Sequence, residues 1–563
     1  MMLFETNLKT LLLSGSSFAV LGCVVLLVLW QSRYWYKQSH LRNIPGPPAQ
    51  SFALGNLPQV FGLLEGWDFH VELAETYGRV AKSWGFFGGM QLHISDPKAL
   101  YSILIKDQEI FEEPDVAIES NKLFFGMGIL STLGGHHRRQ RKLLSPVFHI
   151  NHMRYMMPTF YKITHKLNDL LSSRLANGPQ ELDILEWMTR VALELIGQGG
   201  LGYSFETLEE GKTNRYTTAV KMLFPTAGKI KMLLLILPYL SNIGTAAFRR
   251  WIIRLIPSKN IQALVEAADT MDESSKKIFD EKKAALKRGD DAVVHQIGEG
   301  RDILSILMQA NMVASEADKL PDHELLGQIT SLVFAAMDTT SNALSRTFSL
   351  LAKNPEVQEK LRQELVNARK EAGGDLEYDA LHELPYLEAV CRETLRCFPP
   401  VPIIPRVARS DAILPLGSPV KCNDGRTITE IFVPKGTSIL INIPAVNTDP
   451  GTWGPDAAEW KPERWLSPLP ETVADARIPG VYSNMLTFLG GGRSCIGFKF
   501  SQMEMKMVLL LLVPNFRFSL GEKRVEWLMG PVSSPVVSGT SKPSLPMIVS
   551  QIKRDANGEV RKD

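Results

Sequence analysis

The run from Phe488 to Gly497 surrounds one cysteine with glycines and an arginine, a combination suited to holding a planar metal cofactor. Glycines have no Cβ, so they let the backbone lie close to a flat group. Cys495 precedes an apolar helical stretch, and a helix N-terminus favours the thiolate that a metal requires. Arg493 can reach an acidic group on the cofactor. The alternative is a buried free cysteine in a glycine-rich turn.

Two further groups of residues could do chemistry or position it. Asp338 and Thr339 follow the apolar run 332–336 on one helix, which predicts an acid and an alcohol in the interior that can move protons. A surface pair or a back-bonding hydroxyl is the alternative. Glu393 and Arg396 lie one helical turn apart and can pair. An exposed pair that contributes little is the alternative there.

The pattern F-x-x-G-x-R-x-C-x-G resembles the haem-binding signature of the cytochrome P450 monooxygenases. Elements at 335–340, 393–396 and 462–465 resemble the family's oxygen-binding, E-x-x-R and P-E-R-F motifs in the family's order. Ala336 replaces the commoner Gly, and Trp465 replaces Phe. The resemblance covers the chain from about residue 44 to its end. The fixed positions of the first pattern are filled by Phe488, Gly491, Arg493, Cys495 and Gly497.

The resemblance implies a mainly α fold with a small β region, and it implies residue roles. Cys495 would be the axial ligand of a haem b iron, with O2 as co-substrate. Asp338 and Thr339 would manage protons. The charged residues would hold the haem carboxylates (His137, Arg141, Arg406 and Arg493) or form a buried structural triad (Glu393, Arg396 and Arg464).

The residues that the resemblance places around the substrate are almost all apolar. No Arg or Lys stands out among them to hold an acidic group, which favours a neutral lipophilic substrate. The chain resembles fungal monooxygenases of terpenoid and other secondary metabolism, a likeness at the level of the fold. The expected pocket residues are Phe124, Phe125, Ile129, Phe334, Ala335, Val401, Ile403, Ile404 and Val532.

The N-terminal segment predicts a membrane anchor over residues 1–32. Its span, residues 10–32, carries no charge and is long enough to cross a bilayer. A cleaved signal peptide is the alternative. Positive charges follow the span more densely than they precede it, which predicts a single-pass protein of the endoplasmic reticulum with its catalytic domain on the cytosolic side. Residues 33–60 would be a basic flank and proline-rich hinge, and residues 61–563 the haem-thiolate monooxygenase domain.

A second apolar stretch, from Met232 to Ile256, is interrupted by Lys and Arg. By position it resembles the family's loop that dips into the lipid surface and admits lipophilic substrates. A buried amphipathic helix is the alternative, which the pattern leaves equally open.

Composition and the missing motifs limit the partners. A net charge of +2 gives no reason to expect nucleic-acid binding. The chain has no G-x-G-x-x-G after a strand, so electrons from NADPH would come through a separate NADPH-cytochrome P450 reductase, with cytochrome b5 as a further candidate. Two other classes stay open: a haem-thiolate isomerase, dehydratase or peroxygenase, and a non-catalytic haem-binding or lipid-binding protein. The intact Asp338 and Thr339 favour the monooxygenase.

Overall fold

The computed structural model describes residues 32–33, 35–209, 214–288 and 301–552. Helices predominate in these ranges and the strands form four small sheets, which confirms the predicted mainly α fold with a small β region. The predicted membrane span, residues 10–32, lies outside the described residues apart from Ser32. Among the helices that are described, none combines the length and the apolar character needed to cross a bilayer.

The helices range from single turns to a central helix of 32 residues. In chain order they are α1 Leu57–Val60, α2 Glu65–Tyr77, α3 Pro97–Tyr101, α4 Asp115–Phe125, α5 Gly134–Leu144, α6 Ile150–Arg174, α7 Ile184–Leu195, α8 Arg215–Lys229, α9 Lys231–Leu234, α10 Leu237–Leu240, α11 Ala246–Arg254, α12 Lys259–Arg288, α13 Ile303–Val313, α14 Asp322–Lys353, α15 Pro355–Ala372, α16 Tyr378–Glu383, α17 Pro385–Cys397, α18 Ile443–Asn447, α19 Pro450–Trp453, α20 Glu471–Asp475 and α21 Phe498–Leu512.

The largest sheet has five strands in the order β1-β2-β8-β5-β3, with β2 and β8 parallel and the other pairs antiparallel. A three-stranded sheet has the order β4-β12-β9, and β6 with β7 and β10 with β11 form hairpins. The strands are β1 Val80–Trp84, β2 Met90–Ile94, β3 Phe111–Glu112, β4 Gln180–Asp183, β5 Ile403–Ala408, β6 Ala412–Lys421, β7 Thr427–Val433, β8 Ser438–Asn442, β9 Phe516–Leu520, β10 Val525–Leu528, β11 Ser534–Val537 and β12 Pro546–Gln551.

The central helix α14 organises the largest core. Asp322 and Glu324 lie in its first turn, where carboxylates interact favourably with the helix dipole. It ends at Lys353 because Asn354 precedes Pro355, and a residue before proline disfavours the helical conformation. Most of the helix is buried, and α7 and α12 pack along it. A partly exposed residue on this helix therefore marks an internal cavity or a gap in the packing.

The proline-rich segment near the N-terminus packs against the body of the protein. Ile44 is buried, and the Pro45 carbonyl accepts a hydrogen bond of 2.9 Å from the backbone N–H of Lys82 on β1. The indole of Trp84 donates to the Pro47 carbonyl at 3.1 Å. These contacts fix the segment along the edge of the five-stranded sheet.

The apolar stretch between Met232 and Ile256 is exposed. Large apolar side chains on α9, α10 and α11 face outward, among them Met232, Tyr239 and Trp251. More than half of the surface of each of these three side chains is accessible. The alternative of a buried amphipathic helix is therefore wrong for this stretch.

Candidate active site

The cysteine loop is a tight turn that leads directly into α21. Residues Gly491–Arg493 form a single 3₁₀ turn, and the backbone N–H of Cys495 donates to the Phe488 carbonyl at 2.8 Å. The Phe488 ring packs edge to face against Tyr482, with the ring centroids 5.7 Å apart. The loop thus fixes the position of the thiol before the helix begins at Phe498.

The glycines of this loop are needed for close contact with protein backbone, which differs from the reason expected from the sequence. A Cβ on Gly490 would lie 1.8 Å from the Pro479 carbonyl oxygen, and one on Gly491 would lie 1.9 Å from that of Leu104. Gly491 also has a φ of +70°, which other residues rarely adopt. Gly497 is different, because a Cβ there would make only an ordinary 3.8 Å contact with Phe148.

Cys495 has accessible surface although it lies in the interior of the protein. Burial raises the pKa of its thiol, while the Gly497 N–H and Arg141 lower it by smaller amounts. This combination is expected for a thiol that faces an internal cavity. The lowering by the Gly497 N–H has the direction predicted for the start of α21, but burial is the larger effect in the protein by itself. A bound metal ion would supply the missing stabilisation of the thiolate.

Two arginines tie the cysteine loop to neighbouring elements. Arg141 on α5 donates to the carbonyl and, at 3.0 Å, to the hydroxyl of Ser494. Arg493 donates to the Thr132 carbonyl at 2.8 Å. Arg493 and Ser494 directly precede the cysteine, so the contacts of both arginines position the thiol as well as the positive charge around it.

The four residues predicted to hold the carboxylates of the cofactor carry more positive charge than the neighbouring acidic side chain neutralises. Arg406 and Arg493 share one carboxylate, Glu113, at 3.5 and 3.2 Å. Burial lowers the pKa of Arg141 and of Arg493. Burial, assisted by Arg493 and Arg141, also lowers the pKa of His137 to about 3. A cofactor with two carboxylates, such as the haem that the resemblance implies, fits this excess of positive charge.

The helix α14 has an opening on one face at the predicted oxygen-binding motif. Ala335, Ala336 and Thr339 are partly exposed, whereas Phe334 and Asp338 beside them are buried. The Thr339 hydroxyl donates to the Ala335 carbonyl at 2.7 Å, so it back-bonds to its own helix as well as facing the opening. A cavity beside this face is what the accessible side chains indicate.

Asp338 lies in a buried ion network that the sequence did not reveal. Lys221 on α8 donates to the Asp338 carboxylate at 2.6 Å and to the Ser341 hydroxyl at 2.8 Å. The Asn342 amide donates to the same carboxylate at 3.3 Å. Lys221 is 117 positions away along the chain, and no local pattern could have assigned it.

The charged triad is almost completely buried, and its members make many hydrogen bonds. Arg396 donates to both Glu393 oxygens at 2.8 Å, and neither side chain is exposed. Arg464 approaches Glu393 at 3.3 Å and also pairs with Asp456. The exposed pair considered as an alternative is therefore wrong. The Trp465 indole donates to Glu393 at 2.9 Å, a bond that the family's Phe could not make.

The structure brings only part of the expected apolar pocket together. Phe125 stacks on Phe334 with ring centroids 4.5 Å apart, in the same core cluster as Phe124, Ile129 and Val532. Val401 packs against that cluster, and Ala335 lies on the open face of α14. Ile403 and Ile404 pack instead against the two clusters that surround the five-stranded sheet, because successive side chains of β5 point to opposite faces.

Two interior charged residues were missed entirely. Glu504 on α21 is fully buried, and neither of its carboxyl oxygens makes a hydrogen bond within the described residues. Burial raises its pKa well above the usual range, opposed in part by the Thr340 hydroxyl. Arg346 on α14 lies against the rings of Phe398 and Trp527. The sequence signal for Glu504 was a lone acid in an apolar helix, whereas Arg346 gave none.

Comparison with known proteins places this geometry in a family. The cytochrome P450 family model matches residues 45–544. The chain is 53% identical over 515 residues to cytochrome P450 monooxygenase 91 of Postia placenta, which covers 92% of this chain and 95% of that protein. It is 46% identical over 528 residues to a ganoderic acid synthetase of Ganoderma lucidum, which covers 93% of this chain and 96% of that protein.

Proposed function

Since this chain belongs to the cytochrome P450 family and is an oxidoreductase of the monooxygenase class, we propose that it inserts one oxygen atom of O2 into a lipophilic small molecule. We infer that the electrons come from NADPH through a separate NADPH-cytochrome P450 reductase, with cytochrome b5 as a further donor. The proposed substrates belong to secondary metabolism, such as terpenoid biosynthesis. One similar protein is named for the synthesis of ganoderic acid, which supports this substrate class.

The residues of the cysteine loop fit the haem that the family uses. Cys495 would ligate its iron, and His137, Arg141, Arg406 and Arg493 would receive its carboxylates. When bound, the haem supplies an iron at which O2 is activated, with the thiolate favouring cleavage of the O–O bond. The cation excess around Glu113 would then be neutralised.

The observation that carries the proposal is the position of Thr339 on the open face of α14, with Asp338 buried beside it. Forming one molecule of water from the second oxygen atom consumes two protons. The Thr339 oxygen, whose proton is directed to the Ala335 carbonyl, can accept a hydrogen bond from a water molecule in the cavity. We infer that Asp338, held by Lys221 and Asn342, exchanges a proton with that water.

We also propose that the protein is anchored in the endoplasmic reticulum membrane by residues 10–32, with the catalytic domain on the cytosolic side. The exposed apolar side chains between Met232 and Ile256 support a second contact with the lipid surface. Fractionation of cells that make the full chain or a chain lacking residues 1–42 tests the anchor. We expect the full chain in membranes and much of the truncated chain in solution. Full membrane retention of the truncated chain would assign anchoring to the second stretch.

Product analysis with isotopically labelled O2 tests the reaction. The full chain with haem, reductase and NADPH should yield a product carrying one labelled oxygen atom, at the expense of one NADPH. A product without the label would indicate an isomerase or dehydratase. A product formed with hydrogen peroxide but not with NADPH would indicate a peroxygenase. The last outcome concerns an extract of a strain that makes the protein. If no compound in that extract stimulates NADPH consumption, a non-catalytic role would be favoured.

A further inference from the structure

Arg346 occupies a fixed position inside the protein. It lies seven residues after Thr339, two turns along the same side of α14. Its guanidinium carbon is 3.3 Å from the centroid of the Trp527 ring and 4.5 Å from that of Phe398. The indole of Trp67 donates to the Trp527 carbonyl at 2.8 Å, which holds that ring in place.

The charge of this guanidinium has no counter-charge in the part of the chain that the structure describes. No carboxylate pairs with it, and no hydrogen bond to it is formed there. Burial lowers the pKa of Arg346 well below its usual range, and no acidic group opposes that effect. Arg346 is partly accessible, as a residue beside a cavity would be, but a cation with so little solvent around it is still costly unless it is paired. The interior Arg396, by contrast, is fully paired with Glu393.

A small cavity lies beside the guanidinium. Its free volume is about 10 Å³, which admits one oxygen-sized group. Pro400 and Ser533 line it, and the Ser533 N–H donates to the Pro400 carbonyl at 2.7 Å. These two residues adjoin Val401 and Val532 of the expected substrate pocket in the sequence. A ligand that follows the chain from Val401 or Val532 to these residues would reach the cavity with one oxygen atom of its polar end.

We propose that Arg346 binds the carboxylate of a lipophilic acid that is a substrate or product of this enzyme, an inference that rests on the proposed monooxygenase function. The aromatic rings cover the guanidinium carbon, so the N–H groups along its edge remain for a carboxylate. Asn342 lines the same cavity, and its side-chain oxygen is buried without a hydrogen-bond partner among the described residues. Water or an alcohol could bridge it to Arg346, but neither neutralises the charge. The proposal replaces the neutral substrate expected from the sequence.

Ligand binding without turnover tests this assignment. The full-length haem protein is titrated, without reductase or NADPH, with hexadecanoic acid and with abietic acid. Each acid is compared with its primary alcohol and its methyl ester, by the shift of the haem absorption band and by equilibrium dialysis. For at least one of the two acids we expect about tenfold or greater preference for the acid, the range of a charge-assisted hydrogen bond. Arg346→Gln should remove that preference and leave alcohol binding within about twofold.

The control variant is Arg190→Gln, which removes an arginine that lies over Trp187 on α7, 5.0 Å from the ring, and should keep the preference. Equal affinity for acid and alcohol in the wild-type protein, or binding of none of the compounds, would overturn the proposal. A preference that persists in Arg346→Gln would do the same. If that variant fails to bind haem, the wild-type comparison still decides. Because turnover is not measured, failure here is distinct from failure of the labelled-oxygen experiment.

Discussion

Two of the buried ion networks in the described part of the chain, around Glu393 and around Asp338, differ in how completely their charges are satisfied. The Glu393 carboxylate accepts two hydrogen bonds from Arg396, one from the Arg464 guanidinium and one from an indole N–H. These groups have almost no exposed surface. Asp338 is held mainly by one lysine from a different helix. The side chains of both residues retain some exposure. The first network resists change because every member has several partners. The second depends on one contact between α8 and α14.

A saturated network suits a structural role and a sparse network suits proton movement. Removing one member of a saturated buried network leaves the others charged and unpaired. In the sparse network, the Asp338 carboxylate can exchange partners at a small cost. The comparison therefore predicts that similar substitutions in the two networks will have different consequences, which five experiments can test.

The largest effect is expected from Arg396→Leu. This change leaves the Glu393 carboxylate buried with incomplete pairing, at a cost of about 3–5 kcal/mol. We expect loss of haem incorporation and little folded protein, measured by the reduced carbon monoxide spectrum of purified material. Arg392→Leu, on the same helix but partly exposed and paired with Glu388, is the control and should retain the spectrum. Normal haem content in Arg396→Leu would contradict a structural role for the network.

Thr339→Ala should separate chemistry from structure. Without the hydroxyl, water in the cavity loses its hydrogen-bond acceptor, so reducing equivalents should be diverted from product to hydrogen peroxide. Product per NADPH should fall by about tenfold or more, within the range of acid–base contributions, while the carbon monoxide spectrum stays normal. Thr339→Ser should restore coupling, and Thr340→Ala, which removes a buried neighbour, is the control. Unchanged coupling in Thr339→Ala would make Thr339 a helix residue only.

Lys221→Met removes the lysine of the sparse network. It should lower the free energy of unfolding by about 1–3 kcal/mol, the usual cost of an unpaired buried acceptor, and keep the haem bound. This outcome contrasts with Arg396→Leu although both changes remove a cation from a buried carboxylate. Lys276→Met, in an exposed pair with Asp272, should change the stability by much less. Loss of haem in Lys221→Met would show that the two networks are equally structural.

Glu504→Gln extends the comparison to a buried acid that pairs with no cation among the described residues. The pKa of Glu504 is raised in the folded state, so the folded protein holds this proton more tightly than the unfolded chain. Its contribution to stability is therefore present below the ordinary carboxyl pKa and is lost as the pH rises above it. The glutamine variant should melt at a higher temperature than the wild type at pH 8, with a difference that shrinks towards pH 5. A difference independent of pH would contradict a protonated Glu504.

The sequence predicted the residues that depend on local spacing and missed those that depend on tertiary contact. The Cys495 loop and the Glu393 and Arg396 pair are each contained within a few residues, so their patterns could be identified directly. Lys221 reaches Asp338 only because α8 packs on α14, and Arg346 meets Trp527 only because β10 lies beside that helix. The same limit explains Gly491 of the cysteine loop, whose close contact is with Leu104, a residue distant in sequence.

The smallest effect is expected from Trp465→Phe, which restores the residue common in the family. The variant loses the 2.9 Å indole hydrogen bond to Glu393, but the two Arg396 donors remain. One hydrogen bond to a charged acceptor contributes about 1.5–3 kcal/mol. We expect denaturant unfolding to show a loss near the low end of that range with normal haem content, because Arg396 still donates to the same Glu393 oxygen. Trp453→Phe is the matched control, because the indole N–H of Trp453 is buried without a partner in the described structure. Equal losses in the two variants would mean that ring volume, and not the hydrogen bond to Glu393, explains the tryptophan at position 465.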